Sequence, residues 1–350
     1  MFNFKVVPPR ITLKDVAQAC GCSTMAVSYA LRGLQKISPE LTKRIRETAA
    51  RLGYAPDPML SALIAYRKEA SAITKACPLA WLSDSPEDGQ WRKHHNFILS
   101  YYEAACGRAS ELGYHIEYFW LKEPGMTPSR MSKILYSRGI TGLLVAPRPQ
   151  ARGHLNLEWE RFSTVTFGYS LARPRFHMTT THFSALTVQL MRKLLSLGYR
   201  RPGMFMNPFH DERMDHNYVA PFLFEQQRLE KKDRIPPLLH ASLDMLPEWI
   251  GKYRPDCIVT DNEDVGDWLS EKGFKIPEDI GVGHLQSNAV ERSGMDHNFP
   301  AVGVAAVDLL IGQLQRNERG VPSIRRCVLI EGTWHPGKTL RRMNLPKTIV

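Results

Sequence analysis

The chain has no run of apolar residues approaching the roughly 18–20 that a membrane-spanning helix needs. Its opening, MFNFKVVPPR, is too short and too broken by proline to form the apolar core of a signal peptide. Six cysteines (Cys20, Cys22, Cys77, Cys106, Cys257 and Cys327) fall in no C-x-x-C spacing. Buried reduced thiols are therefore expected rather than a metal site, and the setting expected is cytoplasmic. There is no phosphate-binding P-loop, no G-x-G-x-x-G and no H-E-x-x-H. Gly168-Tyr169-Ser170-Leu171-Ala172 follows a strand pattern but lacks the second glycine of a nucleophile elbow. His210-Asp211-Glu212 and Asp215-His216 crowd together without zinc-protease spacing, in a stretch that reads as hydrated loop. No catalysis, no metal and no cofactor are expected. The tail from Lys338 to Val350 is basic and carries no heptads, so nothing in it supports a coiled-coil tetramer.

Acidic residues are also in deficit, 35 against 46 lysines and arginines, for a net charge of +11 and a pI near 9.4. The imbalance is uneven: residues 1–70 hold eleven basic and five acidic side chains, so this fifth of the chain carries +6 of the total. A basic head on a nearly balanced body suits a polyanionic partner. The hydrophobic content of 43% supports a sizeable core across 350 residues, enough for one small domain and one or two larger ones.

The most legible stretch runs from Ile11 to Tyr66. Thr12 can cap a helix with Leu13, Val16 and Ala17 on one face and Ala19 and Cys20 near its end. Gly21 permits a tight turn, and Ser23 caps a second helix carrying Ala26, Val27, Ala30 and Leu31 at helical spacing, which Gly33 stops. Ser38-Pro39-Glu40 starts a third, with Leu41, Ile45, Thr48, Ala49 and Leu52 as its buried stripe and Gly53 at its end. Two helices joined by a short glycine-containing turn and braced by a third describe a helix-turn-helix. On pattern alone, a plain three-helix bundle stands beside it.

The wording of the segment is more specific than its pattern. T-L-K-D-V-A, G-C-S-x-x-A-V-S-x-A-L, I-S-P-E-L-T-K-R-I and L-G-Y-A-P resemble, in order and spacing, the DNA-binding head of the lactose-repressor (LacI/GalR) family. In that family's pattern Thr24, Met25 and Tyr29 fall on base-reading positions. The set contains no Arg, Asn or Gln, so modest readout through hydroxyl and thymine-methyl contacts is expected; Met25 and Tyr29 also read as ordinary surface residues. Thr12, Ser23, Ser28 and Arg32 suit phosphates. Beyond Pro58, Met59 to Arg67 reads as an apolar helix, marginal in isolation. The resemblance makes it a hinge whose Leu63 enters the minor groove. Leu60-Ser61 replaces the family's usual Ala-Arg there, and a helix serving only dimer contact fits the same residues.

From Leu79 onward short buried strands alternate with helices: 79–83, helix 97–112, 114–121, helix 129–137, 142–146 and 162–167. The pattern then restarts with 177–181, helix 182–197, 203–206, helix 218–229, 257–260, helix 265–272, 280–283, helix 301–315 and 328–331. This argues for two doubly wound parallel sheets with helices on both faces and a ligand cleft between two lobes. L-x-x-L-G-Y-R-R, R-P-D-C-I-V-T-D-N, I-P-E-D-I-G-V and A-A-V-D-L-L-I-G-Q-L resemble the effector domain of the same family, a periplasmic-binding-protein-like fold. The organisation expected is a helix-turn-helix head at 1–56 (core 10–54), a hinge and linker at 57–70, an effector and dimerisation domain at 75–340, and a basic tail at 341–350. Lobe one is assigned about 75–168 plus 300–322, and lobe two about 176–295 plus 325–340.

Loops beyond the carboxyl ends of the strands hold Asp84, Ser85, Trp91, Arg148, Tyr169, Asn207, Arg213, Asn262, Glu263 and Gln286. By the resemblance, Arg213 matches an arginine that commonly holds ligand hydroxyls or carboxylates, and Asn262-Glu263 stands where the family has an Asn-Asp pair. The effector set expected is Arg213, Asn262, Glu263, Gln286, Asp84, Trp91, His182 and Asn207. Two departures stand out: His182-Phe183 replaces the family's acidic residue, and His284-Leu285-Gln286-Ser287 replaces its G-F-D-D. The resemblance implies a bacterial, cytoplasmic, nucleoid-associated homodimer, a repressor of operator DNA controlled by a small effector of sugar-like class, with no membrane partner. Either sign of response uses the same parts. The reading from another class is a small-molecule sensor whose head serves protein interaction.

Overall fold

Three short helices build the head in the computed structural model, which describes residues 12–31, 37–52, 54, 76–94, 96–287 and 289–343. The chain divides into two units between Lys75 and Ala76. In the first, α1 (Leu13–Cys20), α2 (Thr24–Leu31) and α3 (Pro39–Leu52) pack Val16, Ala17, Cys20, Ala26, Val27, Ala30, Ile45 and Ala49 into one core. Thr12 and Asp15 form a capping box at the start of α1, and Gly21 ends it in the left-handed region at φ 62°. The orphan carbonyls at the ends of α1 and α2 are met from α3: Arg44 donates to the Cys20 oxygen (3.1 Å) and Arg46 to the Ala30 oxygen (3.3 Å). Two cations thus close the three-helix unit where an all-apolar seam would leave carbonyls unpaired.

The second unit follows an alternating order: β1 (Cys77–Ser83), α4 (Gln90–His94), α5 (Asn96–Glu111), β2 (Tyr114–Trp120), α6 (Pro128–Ser137), β3 (Gly142–Val145), β4 (Gly153–His154), β5 (Ser163–Phe167), β6 (Leu171–Arg173) and β7 (His177–Thr181). It continues with α7 (Phe183–Leu197), β8 (Pro202–Met206), α8 (Pro208–Arg213), α9 (Val219–Glu225), β9 (Leu238–Leu239), α10 (Leu246–Tyr253), β10 (Cys257–Thr260), α11 (Val265–Glu271) and β11 (Gly281–His284). The last elements are β12 (Gly294–Asp296), α12 (Phe299–Gln315), β13 (Cys327–Ile330) and β14 (Thr333–His335). Two six-stranded sheets result, ordered β13-β7-β5-β3-β1-β2 and β14-β12-β11-β10-β8-β9, with every pairing parallel except β12 with β14.

Both faces of each sheet are covered, which is why the strands read as unbroken apolar runs. Along β1, Leu79 and Trp81 enter a core shared with α5 and α12, while Ala80 and Leu82 enter the core on the opposite face. In the second sheet Met204, Met206, Cys257 and Val259 face α7, while Phe205 and Ile258 face α10 and α11. Gly303 lets α12 lie against α5: a Cβ there would stand 2.3 Å from the Tyr101 carbonyl oxygen.

The lobe assignment needs correction at two strands. Residues 177–181 and 327–330, expected in lobe two, pair in the first sheet, with Val165 beside His177 and Cys327 beside Met178. The connection from β5 to β7 contains no helix, only β6 paired with β4 in a small separate ribbon, so the restart of the strand–helix pattern does not coincide with the change of lobe. The chain changes lobe later, after Thr181, and again near Asn298 and Gly332. These three crossings are tied together: His182 N–H donates to the Ile330 oxygen (2.7 Å), the Thr181 hydroxyl to the His297 oxygen (3.1 Å), and the Asn298 amide to the Glu331 oxygen (2.8 Å). Among the described residues no helix is long and apolar enough to cross a membrane.

Candidate functional site

The apolar side of α2 is spent on the core, which turns the first-turn residues Thr24 and Met25 to solvent, Met25 at 62% exposure. Tyr29, one turn further on, is half-buried, as is Ser28. Ser23 accepts from the Ala26 N–H (3.2 Å), which leaves its hydroxyl proton to donate outward. The Thr12 hydroxyl instead donates to Asp15 (2.7 Å), so its proton is held within the cap. Lys14, Lys43, Arg44, Arg46 and Arg51 are exposed around this unit. Arg32 and the hinge residues Leu60, Ser61 and Leu63 lie outside the described residues.

In the second unit the carboxyl ends of the two sheets enclose a small cavity of about 80 Å³. Lobe one contributes Phe97 and Tyr101 from α5, Phe167 and Tyr169 after β5, and Phe299 at the start of α12. Lobe two contributes Phe183 from α7, Arg213 and Met214 at the end of α8, Tyr218 and Gln286, with His297 at a crossing. The aromatic rings form a continuous chain from one lobe to the other. Tyr101 stacks on Phe167 (5.2 Å, 12°) and meets Phe299 edge-on (5.6 Å). His297 joins Phe299 (5.0 Å) to Phe183 (5.6 Å), which meets Tyr218 (5.2 Å). Each such pair contributes about 0.5–1.5 kcal/mol beyond its buried area.

Burial sets the charge of this wall. It raises the Tyr101 and Tyr218 hydroxyls above their ordinary range and lowers His297 to about 4, so all three are neutral at pH 7. Arg213 is the charged member, and burial lowers its proton affinity too. Its Nη2 donates across the cleft to the Arg148 carbonyl (2.8 Å), while its Nε is buried with no partner among the described residues. Arg148 is itself fixed in lobe one: its Nη2 and Nε each lie 2.6 Å from Asp84, and its Nη1 donates to the His154 oxygen (2.6 Å).

Of the eight residues expected in the cleft, the structure brings Arg213 and Gln286 to the cavity wall and places six elsewhere. Trp91 is buried in the lobe-one core against Trp81 and Tyr102. Asp84 is paired with Arg148, and Glu263 with Arg292 (2.5 Å). His182, Asn207 and Asn262 turn their side chains back on the backbone, accepting from Ala185, Phe209 and Asp264 N–H groups respectively. All three stand just after strands, where short polar residues satisfy the first free N–H groups of the next helix or turn, and that use wins over ligand contact. Residues 208–213 are helix rather than loop, and Asp211 is a buried anchor that accepts from Val219 N–H (3.1 Å) and pairs with His216 (2.9 Å). The aromatic wall lies on helix starts and strand ends rather than on polar loops, so polar loop residues do not signal it. Phe183 and Phe299 each open a helix shortly after a strand, and Phe97 and Tyr101 are spaced i, i+4; those positions carry the signal. Among the described residues no His, Cys, Asp and Glu cluster could hold a metal.

Comparison with known proteins places these observations. The family model for bacterial regulatory proteins of the lacI family matches residues 12–57. The HTH-type transcriptional regulator GntR of Pseudomonas aeruginosa is 36% identical over 64 residues, 18% of this chain and 19% of that protein. The HTH-type transcriptional regulator MalR of Streptococcus pneumoniae is 27% identical over 134 residues, 38% of each chain. The matched stretches therefore span well under half of these relatives. Among solved structures, a CelR–cellobiose complex aligns with a TM-score of 0.55 at 14% identity, over 94% of this chain and 100% of that one. The lac repressor dimer bound to operator and the anti-inducer ONPF aligns at 0.54 and 16%, over 95% and 99%. At these identities the likeness is one of fold, a helical head followed by a two-lobed α/β body.

Proposed function

We propose, from the premise that the head of this chain belongs to the LacI family of bacterial regulators, that the protein is a sequence-specific DNA-binding transcription regulator acting as a repressor. The observation that carries the reading is the head itself: a family match over 12–57 whose second helix turns Thr24 and Met25 to solvent, in a unit whose Lys14, Lys43, Arg44, Arg46 and Arg51 are exposed. Two heads from a homodimer would read an operator whose half-sites share the protein's two-fold axis. Thr24 bonds a base edge, Met25 and Tyr29 lie on thymine methyls, and Ser23 and Ser28 hold phosphates. None of the three reading residues makes a bidentate purine contact, so each is worth about 1–2 kcal/mol and DNA deformability carries part of the specificity.

The body supplies control. A small effector in the cleft changes the relation of the two lobes, because Arg213 of lobe two is bonded to the Arg148 carbonyl of lobe one and any ligand that engages Arg213 acts on that bond. A ~100-fold change in operator affinity needs a coupling of about 2.7 kcal/mol. The resemblance favours a sugar-like effector; the aromatic wall and its single cation favour another class.

Fluorescence anisotropy of the full chain on labelled duplex tests the regulator reading. Affinity should fall steeply with salt, with a log–log slope of about −0.9 for each phosphate neutralised. A Thr24→Ala, Tyr29→Ala variant should keep the salt slope and lose preference among sequences. Indifference to both salt and the double substitution would sink the reading.

A further inference from the structure

We propose that the cleft takes a small aromatic carboxylate, its anion paired with Arg213 and its ring set among Tyr101, Phe167, Phe183 and Tyr218. The inference rests on the cleft being the regulator's effector site. A guanidinium withdrawn from solvent needs an anionic or fully hydrogen-bonding partner. Arg213 has a single hydrogen bond to a carbonyl on Nη2, a buried Nε with no partner, and no carboxylate within ion-pair distance among the described residues. Asp84 is paired with Arg148, Asp211 with His216 and two backbone N–H groups, and Asp261 Oδ2 with His210 (2.7 Å), while Asp261 Oδ1 is buried without a partner among the described residues. Among the described residues no aspartate or glutamate lines the cavity. A guanidinium with an unpaired donor takes a carboxylate in planar, bidentate geometry once that donor is uncovered.

The rest of the wall chooses the body of that anion. A neutral sugar presents hydroxyls all round and needs polar partners on several sides, which this wall offers only in part: Ser170, which already accepts from the Arg148 N–H (2.9 Å), the Tyr101 hydroxyl bonded to Thr181, and the polar ends of Tyr169, Thr180, Tyr218 and Gln286. Aromatic surface comes from both lobes, suited to stacking and edge-on contact with a flat ring. The cavity of about 80 Å³ is smaller than the roughly 150 Å³ that takes a benzene ring, so one ring with a short acid seats as the lobes part, and a disaccharide would need a far wider opening. One charge at one end and rings along the sides describe an amphiphilic, planar monoanion.

Calorimetric titration and thermal unfolding of the full chain test this with benzoate, para-hydroxybenzoate and phenylacetate as probes. Benzamide carries the ring without the charge, acetate the charge without the ring, and glucose represents the neutral sugars. At least one aromatic acid should bind and raise the melting temperature. Benzamide should be weaker by about tenfold or more, the loss expected for a charge-assisted bond, and acetate by at least as much for the buried ring it lacks. Arg213→Met should abolish the response while melting at the parent temperature or above, since it removes a buried cation lacking a carboxylate. Arg213→Lys should bind at an intermediate level. Equal binding of benzamide or acetate, a response to glucose alone, an unaltered response in Arg213→Met, or no response to any of the three acids overturns the proposal. Operator binding by the same preparation separates the two readings: intact DNA binding with no acid response sinks only the ligand class, and acid binding without DNA binding sinks only the regulator.

Discussion

Acidification should strip stability from the body through two buried histidines. His284 and His297 are 1% and 2% exposed, and burial lowers each from 6.5 to about 4. His297 is wedged between Phe183 and Phe299 with Nε2 on the Leu285 oxygen (2.8 Å); His284 closes the end of β11, with Arg292 disfavouring its proton further. The unfolded chain therefore takes up these protons first. Stability is complete above about pH 6.5, declines as pH falls through that value, and stops declining from this source below about pH 4. Between pH 7 and pH 5 the loss is about 2 kcal/mol for each ring, or about 4 kcal/mol together. That is a large share of the roughly 5–15 kcal/mol that holds a domain folded. Exposed carboxylates held low, such as Glu318 at about 2 through its bonds to Arg316 and Arg326, stay ionised across this window and add nothing. The assay is urea unfolding at the two pH values followed by tryptophan fluorescence, on the parent and on a His284→Gln, His297→Gln variant. The variant should lose about 4 kcal/mol less than the parent. Equal losses in the two proteins would refute the reasoning, whatever the variant's stability at pH 7.

Two glycines on facing or exposed helix surfaces should respond oppositely to alanine. Gly303→Ala drives a Cβ into the Tyr101 carbonyl and should cost about 1–3 kcal/mol in chemical unfolding. Gly107→Ala, mid-helix on α5 with nothing within 4 Å, should gain about 0.5–1 kcal/mol. In the head, Thr12→Ala removes the cap of α1 and should cost its unfolding transition about 1 kcal/mol. The Asp15 carboxyl, held low chiefly by the Thr12 hydroxyl, should titrate higher in that variant, a shift readable by NMR.

The head was legible almost residue by residue because its signals are local. Caps at Thr12, Ser23 and Ser38, a left-handed Gly21 and apolar stripes at helical spacing each act within a few residues. The strands were legible too, since burial on both faces leaves uniform apolar runs such as Cys257–Thr260. What stayed hidden depends on pairing across the chain. Nothing local in His177–Thr181 says that it pairs with β5 and β13 in the first sheet rather than opening the second. The Arg44 and Arg46 bonds to the ends of α1 and α2 look, in sequence, like exposed charges on a solvated face. The cleft was half legible. Arg213 and Gln286 were found, but polar residues after strands turned out to serve the backbone, as Asn207 and Asn262 do. The aromatic wall draws its rings from α5, β5, α7 and α12, far apart in the chain, and has no sequence motif of its own.

An unbiased selection of binding sequences from random duplex by the full chain tests the central claim most directly. A dimeric LacI-type reader should enrich one inverted repeat, with thymines at major-groove positions facing Met25 and Tyr29, and Thr24→Ala, Tyr29→Ala should flatten the preference without abolishing binding. Recovery of no preferred sequence, or of one with no two-fold symmetry, would contradict the account.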